Sequence, residues 1–73
     1  MRIIKIGDVV TYRPYGHQNA IADKVTNIEI CKPNQKYGRE VTECDLDKHS
    51  NVVITVGSKH WCYKEQLVDI NKA

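Results

Sequence analysis

The apolar alternation along residues 20–32 changes phase midway. Ile21 and Val25 fall on odd positions, whereas Ile28 and Ile30 fall on even ones. Side chains in a strand alternate between faces with a period of two, so one buried face cannot collect both pairs without an extra residue. The sequence therefore predicts a long strand with a bulge or sharp bend near Thr26-Asn27. A bend of this kind carries one strand from one sheet into the next, as in small closed barrels.

The residue types agree with strands. The chain has eight Ile and eight Val but only two Leu and three Ala, and four Thr add further β-branching. Branching at Cβ stiffens χ1 and suits a pleated strand, while Ala and Leu, the strong helix formers, are scarce. The expected fold class is all-β. With 73 residues, the chain is expected to form a single domain over 1–73. Folding hides only about three-fifths of the surface of a chain this small, which leaves little room for an enclosed catalytic pocket.

Five or six short strands follow from the pattern. Gly7-Asp8 reads as a turn, residues 9–13 as a strand stopped by Pro14, and 15–19 as a loop. After the long bent strand, 33–38 reads as a second loop. Residues 40–46 form another strand, with Cys44 and Leu46 inward and Glu43 and Asp45 outward. Residues 47–51 are a polar turn, and 52–56 are the most apolar strand, with Val52, Ile54 and Val56 on one face. Gly57-Ser58-Lys59 turns the chain into His60-Trp61-Cys62-Tyr63. Residues 64–67 read as one helical turn before a short closing strand.

The opening Gly7-Asp8-Val9-Val10-Thr11-Tyr12, the bent strand, two hairpins and the closing Glu65-Gln66-Leu67-Val68 together resemble the Src-homology-3-like small barrels, a group that includes Tudor and KOW modules. The resemblance spans residues 6–70. The chain is also similar to small proteins encoded by bacterial phages. The barrel resemblance implies a ligand groove between the first long loop and the last helical turn, lined by Tyr12, Tyr15, Trp61 and Tyr63. The first loop has no acidic residue with which a basic peptide would pair, a departure from the peptide-binding members.

The residues themselves support an interaction surface. Phe is absent, and all five aromatics are Tyr or Trp, rings that join apolar area to a polar handle and are enriched at interfaces. Trp61 and Tyr63 share parity on one strand, opposite Cys62. A thin core also recruits such rings, so a packing role stands beside the binding one. The expected function is a small non-enzymatic protein-interaction module. The alternative is a nucleic-acid-binding barrel in which Lys32, Lys36, Arg39 and Lys59 contact phosphate while Tyr37 stacks on a base. Against that alternative stand a net charge of only +2 and the acidic run Glu40, Glu43, Asp45 and Asp47.

Other chemistry finds little support. Cys31, Cys44, Cys62, His17, His49 and His60 lack the close Cys-x-x-Cys spacing of zinc knuckles, so no metal and no cofactor is expected. His60 and Cys62 share a strand face, but no third group orients the histidine for thiolate catalysis. The opening residues lack the pattern of a secretory signal, and no apolar run approaches the ~20 residues of a membrane helix. Three free thiols in the cytoplasm are the expectation. A short exposed edge strand leaves homodimerisation open.

Overall fold

In the computed structural model, residues 2–16, 18–31, 38–58 and 60–71 are described. Among them are eight strands: β1 (Ile3–Lys5), β2 (Val9–Tyr12), β3 (Ile21–Ile30), β4 (Arg39–Val41), β5 (Glu43–Asp45), β6 (Val52–Val56), β7 (His60–Tyr63) and β8 (Leu67–Asn71). Two single 3-10 turns, Leu46–Lys48 and Lys64–Gln66, interrupt them, and the described residues contain no α-helix. The fold is a small all-β domain.

All pairings are antiparallel. The main sheet runs β7-β6-β3-β2-β8, with β4 also pairing β3, and β1 and β5 form a two-stranded sheet of their own. The first half of β3 pairs with β2, from Val9 opposite Lys24 to Tyr12 opposite Ile21. Its second half pairs with β6 and β4. β3 is thus common to two groups of strands.

The phase change in β3 is met by a register shift between Val25 and Asn27 opposite β6. Val25, Ile28 and Ile30 are buried, while Thr26, the inserted residue, is exposed. The bulge would leave nearby carbonyls short of donors. The Thr26 hydroxyl supplies one, 2.9 Å from the Gly57 carbonyl and 3.3 Å from that of Thr55. Ile21 shares the parity of Val25 but is 41% exposed. It stands opposite Tyr12 in the last pair before the loop, and the larger Tyr12 occupies the interior there.

Two strands depart from the sequence expectation. β1, only three residues long, is too short for periodicity to reveal it, and it exists because β5 pairs with it from Ile3–Asp45 to Lys5–Glu43. The single strand expected over 40–46 is divided at Thr42. β4 joins β3, β5 joins β1, and Leu46 enters the 3-10 turn. The inward assignment of Cys44 and Leu46 holds, since both are buried.

The core collects inward side chains from every strand group. Ile4, Val10, Val25, Ile28, Leu46, Ile54 and Cys62 are almost wholly enclosed, with Leu67 and Ile70 of β8 packed against them. At Gly7, φ is +102°, a backbone conformation that side chains oppose. It lets the Asp8 amide return to the Lys5 carbonyl at 3.1 Å while the buried Asp8 carboxylate accepts the Lys5 amide at 3.0 Å.

Candidate functional site

The site grows from the period of β7. Cys62 points into the core, so Trp61 and Tyr63 project from the opposite face. Trp61 is 57% exposed and Tyr63 40%. Their rings meet edge to face, with centroids 5.3 Å apart and planes at 80°, the arrangement favoured by the ring quadrupoles. Tyr15, 72% exposed in the loop after β2, extends the row, its centroid 6.4 Å from that of Tyr63. Tyr15, distant in sequence, thus joins Trp61 and Tyr63 in one exposed strip.

Tyr12 is not part of that strip. It is only 3% exposed and belongs to the core. Burial, with Cys62 and Asp23 close by, raises its phenol pKa above the ordinary value. Its parity with the buried Val10 on β2 is the sequence signal for this placement.

Beside Tyr15 opens a cleft of about 310 Å³, walled by Arg13, Pro14, Tyr15 and Gly16 on one side and by Glu65, Gln66, Leu67 and Val68 on the other. Gln66 fixes the walls to one another. Its side-chain amide donates to the Arg13 carbonyl at 3.0 Å, and the Arg13 amide donates to the Gln66 carbonyl at 3.0 Å. The same side chain accepts the Tyr63 amide at 2.9 Å through Oε1. One glutamine therefore sets the positions of Tyr15 and Tyr63 together. Sequence reasoning misses Arg13, Gln66 and Val68, because residues 13 and 66 are brought together only by folding.

The 3-10 turn that carries Gln66 is itself anchored. Lys64 Nζ donates to the Leu46 carbonyl at 2.9 Å and also to the His49 carbonyl. In the other 3-10 turn, next to Leu46, Asp47 accepts the Arg2 amide at 2.9 Å and Arg2 Nε at 3.2 Å, and these bonds hold its carboxyl below the usual carboxylate range.

Of the candidate nucleic-acid contacts, Arg39 is exposed on β4, opposite Ile30. Lys32, Lys36, Tyr37 and Lys59 lie outside the described residues, as does His17. Cys31, Cys44 and Cys62 are free thiols. Burial pushes the Cys62 thiol up to about 11, the reverse of what an activated nucleophile requires, and His60 beside it in the strand is exposed. Among the described residues, no three His, Cys, Asp or Glu side chains group as a metal site. No helix among them is long and apolar enough to cross a membrane. No known family model, curated protein or solved structure matches the chain.

Proposed function

We propose that this chain is a small, non-enzymatic, cytoplasmic protein-interaction module, a partly closed barrel similar to the Src-homology-3-like group. Its protein partner lies across Tyr15, Tyr63 and Trp61 and enters the adjoining cleft. The observation that carries this reading is the unbroken row of three exposed rings on a backbone braced by Gln66. Large rings with few rotatable bonds, already in place, lose little conformational entropy when a partner covers them. The bulged strand shared by two groups of partners and the 3-10 turn before β8 support the barrel.

The test is affinity capture from the native lysate, before and after nuclease treatment, with the wild type and a Trp61→Ser/Tyr63→Ser double variant. The expected result is capture of a protein that survives nuclease and is lost in the variant, while the variant melts as a folded domain. Collapse of the fold in the variant would make the rings part of the core and end this reading. Retention on an oligonucleotide, with affinity falling steeply as salt rises, would transfer the function to Lys32, Lys36, Tyr37, Arg39 and Lys59.

A further inference from the structure

Every open sheet has edges, and folded proteins usually guard them with charge, proline or a bulge. The edges here differ in this respect. β8 carries Asp69, β4 carries Arg39 and Glu40, and the two-stranded sheet carries Lys5, Glu43 and Asp45. β7 reads His60-Trp61-Cys62-Tyr63, with no acidic residue, lysine, arginine or proline, and its register with β6 is unbroken. Among the described edges it alone lacks charge and proline, and only its Tyr63 end is covered, by the Gln66 side chain.

The hydrogen-bond parity of that edge follows from two bonds. The Cys31 amide donates to the Asn51 carbonyl at 2.9 Å, so bonded pairs between β3 and β6 fall at 31–51 and 29–53. Val53 then turns its amide toward β3, and Ile54 turns its own toward β7. Ile54 stands opposite Cys62 and Val56 opposite His60, which makes Cys62 and His60 the residues bonded to β6. Trp61 and Tyr63 direct their N–H and C=O groups away from the sheet. The Tyr63 amide, accepted by Gln66 Oε1, agrees with this parity. The outward N–H and C=O of Trp61 have no partner among the described residues.

We infer that β7 is a pairing edge for a second copy of this chain, the two strands running antiparallel about a two-fold axis at Trp61. In that arrangement Trp61 stands opposite its own copy, and each backbone N–H donates to the other's C=O. Within the four residues of β7 neither copy brings an acidic or lysine-type charge to the junction. Side chains stand perpendicular to the sheet plane, so the two aromatic rows meet on one face and form a single longer strip. The inference stands on edge geometry, independently of any partner bound by that face.

The available area sets the strength. A standard interface takes about 800 Å² from each partner, whereas the whole chain exposes 5124 Å² and β7 contributes four residues. The dimer therefore belongs with small, weak interfaces and exchanges with monomer on dilution.

Sedimentation of the full chain from ~10 µM to ~1 mM tests this, a range matched to small interfaces. The expected mass rises from 8.4 kDa toward twice that value. Exchange of the Trp61 amide slows at least tenfold over the same range, and emission of this single tryptophan shifts to the blue. Trp61→Pro removes an N–H that faces away from β6, so an edge strand tolerates it, and this variant stays monomeric throughout. Trp61→Ala keeps the donor and dimerises at higher concentration, and Val68→Lys on β8 dimerises like the wild type. A single 8.4 kDa species at every concentration overturns the inference, as does a dimer insensitive to Trp61→Pro or dissolved by Val68→Lys. Should Trp61→Pro fail to fold, the concentration dependence of Trp61 amide exchange in the wild type decides, and constant exchange overturns the inference.

Discussion

Cys62 is fully enclosed between the sheet and the core, and its thiol keeps its proton up to about pH 11 rather than the ordinary 9.0. The consequence for stability has a definite sign. Between those values the unfolded chain gives up the thiol proton and the folded chain retains it, so rising pH favours unfolding. The contribution is complete below about pH 9 and is lost as pH rises toward 11. Urea midpoints are expected to hold steady between about pH 7 and 8.5 and to fall by about pH 10.5. Cys62→Val, which removes the titrating group at similar volume, is expected to flatten part of that fall. Cys31, Cys44 and Tyr12 are raised in the same direction, so some slope remains in the variant. The projection of Trp61 and Tyr63 is equally local, and it is legible in the sequence because strand parity alone sets it. Contact of Tyr15 with Tyr63 is not legible, since parity says nothing about a loop that must fold back.

Among the elements, β3 decides the architecture, and its decisive residue is the inserted Thr26. Deleting Thr26 places Val25, Ile28 and Ile30 two positions apart, so one face of an unbulged strand still collects all three, but the bend in β3 is lost together with the hydroxyl bonds to the Thr55 and Gly57 carbonyls. The deletion is expected to lower the urea midpoint further than Thr26→Val, which keeps the bulge and loses about 1 kcal/mol with its hydroxyl bond. A deletion variant that keeps the wild-type midpoint would show that this fold does not require the bend at Thr26. The bulge is readable in advance because it follows from counting residues. The division of residues 40–46 is not, because both halves have acceptable strand sequences and only their different partners separate them.

At the scale of the whole molecule, no strand pairing among the described residues joins the β1–β5 sheet to the larger one. Core packing through Ile4, Cys44 and Leu46 links them, together with the Lys64 ammonium on the Leu46 and His49 carbonyls. Lys64 thus braces both the small sheet and the 3-10 turn whose Gln66 positions the aromatic row. Lys64→Met keeps most of the stem and removes the charged donor. It is expected to cost about 1.5–3 kcal/mol, as for hydrogen bonds made by a charged group, with faster amide exchange in β1 and β5 than in β6. Uniform exchange across both sheets would show that the tether carries no special role.

Period and residue type belong to the chain itself. They determined that the protein is built of strands, that β3 is interrupted at Thr26, that Cys44, Leu46, Ile54 and Cys62 face inward, and that Trp61 and Tyr63 face outward. Neighbour relations belong to the folded molecule alone. Tertiary structure decided that β1 exists, that Tyr12 is enclosed while Tyr15 joins Tyr63, and that Gln66 holds Arg13 across 53 residues of chain. The physical reason is range: side-chain alternation acts over a few residues, whereas closure of one segment on another depends on which surfaces bury most when the chain collapses.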